Sequence, residues 1–133
     1  MDGQLRAEQL YGTWRLVSTS ELDAEGRPLA APYGPNPMGR AVFGADGRMM
    51  AVICDARPSL PEGETREFVA YSGNYELRDG VVTTTVDAAS WPEGLHTTQV
   101  RKAAFRDGLL VLNPPPLAAG GRRELCWERC SSP

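Results

Sequence analysis

The sequence predicts an all-β fold: eight antiparallel strands closed into an up-and-down barrel, preceded by a short N-terminal helix. Three observations predict it. Eight short β-branched and aromatic runs follow one another, separated by Gly and Pro. Asp-Gly recurs at three joins, Asp46-Gly47, Asp79-Gly80 and Asp107-Gly108, and supplies the positive φ angles of tight antiparallel turns. A Gly-x-Trp triplet, Gly12-Thr13-Trp14, stands at the start of the first run. A helical reading fails on run length and on the glycines. An open sandwich would also need many short strands, so closure is inferred. A closed eight-stranded barrel leaves room for one small ligand.

Taken in order, Gln4 to Tyr11 reads as a helical turn with Leu5 and Leu10 as apolar anchors. The first strand spans Thr13 to Thr19. Glu21 to Pro37 holds Pro28, Pro32, Pro35 and Pro37, which forbid a central strand or helix and make it a long loop. Gly39 to Gly44 is the second strand and Arg48 to Cys54 the third, joined through Asp46-Gly47. Asp55 to Thr65, with Pro58, Pro61 and Gly63, is a second loop suited to act as a lid. The fourth strand runs from Glu67 to Leu77 and the fifth from Val81 to Ala88. Ser90-Trp91-Pro92-Glu93-Gly94 leads into the sixth, His96 to Phe105, and Asp107-Gly108 turns it into the seventh, Leu109 to Asn113. Beyond Pro114-Pro115-Pro116 and a flexible Ala/Gly segment, Arg123 to Cys130 is the last strand.

With 133 residues the chain makes one domain that builds its core without metals or disulfides. A net charge of -3 and no basic stripe argue against nucleic acid. No apolar run approaches the roughly 20 residues that span a bilayer. Met1 to Gln9 lacks an apolar signal core, so a cytoplasmic location is expected. Cys54, Cys126 and Cys130 are expected as buried reduced thiols; the last two, four apart on a strand, lie about 13 Å from each other, too far to bridge. One histidine and no Cys-x-x-Cys leave no metal site, and no cofactor is expected. The partner expected is a small hydrophobic molecule, with a homodimer left open.

Several segments in fixed order resemble the lipocalin-like domain proteins of the calycin superfamily. They are Gly12-Thr13-Trp14-Arg15-Leu16-Val17-Ser18, Gly39-Arg40, Asp46-Gly47-Arg48-Met49, Tyr71-Ser72-Gly73-Asn74-Tyr75, Gln99-Val100-Arg101, Asp107-Gly108-Leu109 and Leu125-Cys126-Trp127-Glu128-Arg129. The resemblance implies an up-and-down barrel with a central cavity. It also implies a first-strand Trp packed at the barrel floor under an Arg of the last strand: Trp14, with Arg129 ahead of Arg123. Such a pair is structural and gains about 0.5–2 kcal/mol from cation–π attraction.

Strand side chains alternate between cavity and exterior. On the fourth strand Val69, Tyr71, Gly73, Tyr75 and Leu77 share a face, and Tyr71 and Tyr75 either orient a ligand oxygen or tie their phenols to backbone. Gln99 and Arg101 share a face of the sixth strand. Arg101 either pairs with an internal carboxylate, Glu76 or Asp87, or meets an anionic or enolate oxygen of a ligand. Only one of Met49 and Met50 faces inward; Met50 is taken as a soft cavity wall. Trp91, beside Pro92, either covers the cavity mouth or plugs it. His96 is expected at the rim, facing solvent. No Gly-x-Ser-x-Gly and no phosphate-cradling glycine loop occurs.

Two functions remain open at this point. The first is binding of a small hydrophobic molecule by Tyr71, Tyr75, Gln99, Arg101, Met50 and Trp91. The second, implied by resemblance, is a cofactor-independent cyclase, isomerase or dehydratase acting on a polyketide-like or terpenoid secondary metabolite, in line with the Ala-, Arg-, Gly- and Pro-rich usage of a GC-rich bacterial genome. A third class, a purely structural or interaction domain, predicts a barrel filled by its own side chains, with an interior far below the several hundred Å³ of ordinary ligand pockets.

Overall fold

The computed structural model describes residues 5–116 and 120–131; Gln4 and the 117–119 part of the Ala/Gly segment lie outside the described residues. A four-residue helix, α1 (Ala7–Leu10), precedes eight strands: β1 (Gly12–Leu22), β2 (Pro37–Phe43), β3 (Arg48–Asp55), β4 (Phe68–Arg78), β5 (Val81–Ala89), β6 (Thr98–Arg106), β7 (Leu109–Asn113) and β8 (Arg122–Ser131). Each pairs antiparallel with its neighbour in sequence, and β8 closes on β1. The barrel therefore has no free sheet edge.

Strand boundaries differ from expectation mainly at closure. β1 is three residues longer at its far end than Thr13–Thr19 because it stays paired to β8 as far as Leu22↔Arg122. β6 starts at Thr98 because His96 sits at φ +63°, a left-handed turn conformation outside any strand; it is exposed, as expected. A single 3-10 turn, Pro92–Gly94, fills part of the preceding loop.

The two ends of the barrel differ sharply. All three Asp-Gly joins lie at the end that carries α1. In two of them both residues have positive φ, Asp79/Gly80 and Asp107/Gly108, which is the hairpin geometry that Asp-Gly favours. The four longer connections, 23–36, 56–67, 90–97 and 114–121, all lie at the opposite end. Tight turns thus shut one end, and the proline-bearing loops ring the other.

The shut end is sealed around Trp14, which is 1% exposed. Its indole N–H donates to the Leu10 carbonyl at 2.8 Å, tying α1 across the opening. The Arg129 guanidinium lies 4.2 Å from the centre of the Trp14 ring and donates to the carbonyls of Tyr11 and Gln9. Leu10, Leu16, Phe43 and Leu110 fill the space around this clasp.

Gly73 marks a local constraint on the wall. Pairing shifts between Ser72 and Gly73, leaving Asp87 as the extra residue of a bulge. A Cβ at position 73 would stand 2.1 Å from the Thr85 carbonyl oxygen, so only glycine allows the strands to approach here. The cysteines depart from the expected burial. Cys126 is buried, Cys54 half-buried and Cys130 exposed, and all three are free thiols. All three fall on outward-facing strand positions, and Cys126 is covered there by the Arg106 and Glu124 side chains, which approach its sulfur.

Replacing Arg129 with Ala removes the cation–π contact and two charge-assisted hydrogen bonds, and is expected to cost about 2–4 kcal/mol. Urea unfolding followed by circular dichroism reads this as a lower midpoint at unchanged slope.

Candidate functional site

Alternation along the strands lines a central cavity of about 170 Å³. Ala41 and Phe43 of β2, Met49, Ala51 and Ile53 of β3, Val82 of β5, Leu112 of β7 and Leu125 and Trp127 of β8 form its apolar wall. Polar groups gather toward the loop-bearing end: Tyr71 of β4, Gln99 and Arg101 of β6, Arg123 of β8, and Tyr33 from the β1–β2 loop. Trp91 and Pro114 complete the rim.

Register puts the two arginines on one wall. Lys102 pairs with Asn113 and Leu112 with Leu125, so Arg101, Pro114 and Arg123 lie level across β6, β7 and β8. Two strand spacings separate their backbones by about 10 Å. Arg123 is neutralised by Glu21 on β1, through bonds of 2.8 and 3.0 Å to one carboxylate oxygen. Arg101 donates to the Gln99 side-chain oxygen and to the Val100 carbonyl at 2.8 Å, and meets no carboxylate among the described residues. The two acids expected to serve it are elsewhere: Asp87 pairs with Arg48 on the outer face, and Glu76 is exposed.

Burial raises the pKa of Tyr71, and the positive charge of Arg101 offsets the rise only in part. Burial raises that of Tyr33 as well, with Arg123 and Arg101 pulling the other way. Both phenols therefore stay neutral at ordinary pH beside the cationic groups, each keeping an O–H able to donate to an acceptor placed between them. Tyr33 reaches the cavity from a strained position, at φ +65°.

Of the six residues expected in the site, Tyr71, Gln99, Arg101 and Trp91 line the cavity, whereas Tyr75 and Met50 do not. Tyr75 lies deeper, packed edge-on against Phe43 at 5.1 Å, and donates to the Gly44 carbonyl at 2.7 Å. Burial pushes its pKa up to about 12. It belongs to the sealed end of the barrel. Met50 is 58% exposed on the outer surface; Met49, at 4%, is the inward methionine. β3 is apolar on both faces, Met49-Ala51-Ile53 and Met50-Val52-Cys54, so alternation alone does not decide between them. Trp91 stands edge-on to Tyr71 at 6.1 Å. Its indole lies flush on Gly94, where a Cβ would come within 2.2 Å of the ring.

Most of the lining lies outside the expected set, and Arg123, Trp127 and Tyr33 are the members of it that bear on the polar end and the entrance. Arg123 and Trp127 share strand parity with Arg129, and that signal was legible in the sequence. Tyr33 comes from a loop, where no periodicity marks direction.

The rim loops are held by a buried carboxylate. Asp55, 2% exposed, accepts from the Arg57 guanidinium at 2.7 and 3.1 Å and from its backbone N–H at 3.2 Å. Gly34, at φ +72°, sits against this carboxylate, where a Cβ would approach to 2.6 Å. The Tyr33 backbone N–H donates to Glu67 at 2.9 Å, joining the loop that carries Tyr33 to the next one.

A sequence profile of the lipocalin-like domain matches residues 11–130, from the Gly-x-Trp strand to the last strand. The chain belongs to the lipocalin-like domain family. No curated protein matches the sequence. Within this lipocalin-like domain, Trp14 and Arg129 hold the sealed floor, and the polar rim lies at the far end of the cavity. Among the described residues no cluster of three His, Cys, Asp or Glu side chains could hold a metal ion.

Two outcomes follow from the rim. Gly94→Ala drives a methyl into the Trp91 ring and swings it off the mouth, so acrylamide should quench the protein's tryptophan emission more efficiently than in the wild type. The Arg57 hydrogen bond holds the Asp55 carboxyl below the usual carboxylate range. Its stabilisation is therefore present above about pH 4 and lost as pH falls. Asp55→Asn should lower the melting temperature at neutral pH, and the gap to wild type should close below about pH 4.

Proposed function

We propose that this barrel binds a small, mostly apolar molecule in its central cavity and grips its polar end with Arg101, Gln99 and Tyr71. One observation carries the reading: a cavity of about 170 Å³, apolar over most of its wall, has its polar side chains other than Thr84 gathered at the end ringed by loops. A cavity of about 150 Å³ lined by aliphatic and aromatic groups takes up benzene. The interior here is therefore not filled by its own side chains, and it is small for a ligand pocket. It suits a compound of one or two rings rather than an extended polyketide-like or terpenoid skeleton.

Tyr33 and Trp91 sit where such a molecule would enter, which supports a gating role for the loops that carry them. The cytoplasmic placement belongs to the same proposal; it is supported by three cysteines that are all unbridged. No helix among the described residues is long and apolar enough to cross a membrane.

Binding is favoured over catalysis by the composition of the wall. No carboxylate, imidazole or thiol lines the cavity among the described residues. A cyclase, isomerase or dehydratase would have to move protons with neutral phenols and a guanidinium, neither of which is poised near neutral pH.

The test uses tryptophan emission, since Trp91 and Trp127 both line the cavity. Titration with a panel of single-ring and two-ring compounds, anionic and neutral, is expected to change emission saturably for a subset, each recovered with unchanged mass and retention time. No saturable change across the panel overturns the binding reading. A recovered compound with a new retention time would instead establish chemistry in the cavity.

A further inference from the structure

We infer that the ligand is a compact, ring-bearing monocarboxylate, its carboxylate set against Arg101 and its ring directed inward. This rests on the binding reading above and adds the charge and shape of the ligand. The charge follows from a local balance. Two guanidiniums line the cavity, Arg101 and Arg123, and no acid lines it among the described residues. Arg123 is already neutralised by Glu21, which lies level with it on β1 and accepts two hydrogen bonds from it. Among the described residues Arg101 touches only neutral oxygens, those of Gln99 and Val100. One positive charge is left over. A single negative charge balances it; a second would face no further cation in a confined, weakly screened space.

The neighbouring groups suit a carboxylate rather than a cation or a bare hydrocarbon. Tyr71 and Tyr33 both feel the charge of Arg101, and as neutral phenols they donate. An arginine fork with a phenol donor beside it matches the two oxygens of a carboxylate. Deeper in, the rings of Phe43 and Trp127 join Met49 and Ile53 in the wall, and Phe43, Tyr75 and the Trp14 clasp shut the floor. A flat, short body fits between them. A long acyl chain does not.

The experiment uses the wild-type protein and four probes: 4-ethylbenzoate, its neutral amide 4-ethylbenzamide, the dianion 4-ethylphthalate and the extended monoanion decanoate. Affinities come from isothermal titration at constant ionic strength. The expected order places 4-ethylbenzoate about 10- to 100-fold ahead of 4-ethylbenzamide, as for a hydrogen bond to a charged group. The phthalate and decanoate should both bind more weakly than 4-ethylbenzoate. Arg101→Gln should erase the preference for benzoate over benzamide, weakening benzoate binding far more than benzamide binding. The ligand series needs no variant, so the inference stays testable should Arg101→Gln fold poorly.

Equal affinity for benzoate and benzamide overturns the inference and leaves the binding reading standing. A phthalate that outbinds the benzoate overturns the charge count, and a decanoate that does so overturns the assignment of a ring. Binding of neutral compounds alone from the wider panel overturns the carboxylate and keeps the cavity as a binding site. No binding by any compound removes both.

Discussion

Closure of β8 onto β1 is the constraint on which the other features depend. Once those strands pair from Leu22↔Arg122 to Thr13↔Ser131, every strand has an inside and an outside, and one shared interior collects the inward side chains. The clasp of Arg129 over Trp14 secures that closure where the two strands meet α1. It also acts as a plug. Trp14 donates to Leu10 and Arg129 to Tyr11 and Gln9, so the chain segment ahead of β1 is drawn across the opening. Without a sealed floor the barrel would be a tube open at both ends, with water competing for every polar group inside.

Much of this was legible in the sequence. The three Asp-Gly pairs located the tight turns, because few dipeptides place consecutive residues at positive φ so cheaply, and the hydrophobic runs between them set strand number and order. The Trp14–Arg129 contact was implied by the family resemblance, and the geometry shows it. The same reasoning recognised that Gln99 and Arg101 share a face. Parity along a single strand is enough for that.

What remained hidden is of two kinds. Depth within a barrel depends on the stagger of strands, which no single strand reveals. Tyr71 and Tyr75 have the same parity, yet one faces the cavity and the other is fixed to Gly44 beside the tight turns. Orientation is also lost where both faces of a strand are apolar. Outward positions of β2 to β4 carry Val42, Met50 and Phe68, all substantially exposed, so hydrophobicity could not tell Met49 from Met50. Loops hide most. Tyr33 enters the cavity because Asp55, Gly34 and Glu67 fix its loop, and those contacts are between segments far apart in sequence.

The arrangement of charge at the rim argues that the cavity is built for an occupant rather than for stability alone. Along the outer surface, Arg15 meets a carboxylate on the adjacent strand, and Arg48 and Arg106 each reach one two strands away. Arg123, on the inner wall, meets Glu21. Arg101 differs from these four: it lies on the same inner wall, held by an amide oxygen and a backbone carbonyl. A folding problem by itself would be solved at that position by an apolar residue, which would extend the wall made by Val82 and Leu112 and require no desolvation of a guanidinium. Gln99 keeps the side chain oriented without cancelling its charge, and the neutral phenols beside it add donors and no countercharge. Such a site costs stability when empty. Under the proposed reading a bound negative charge offsets that cost, and recognition turns on Arg101.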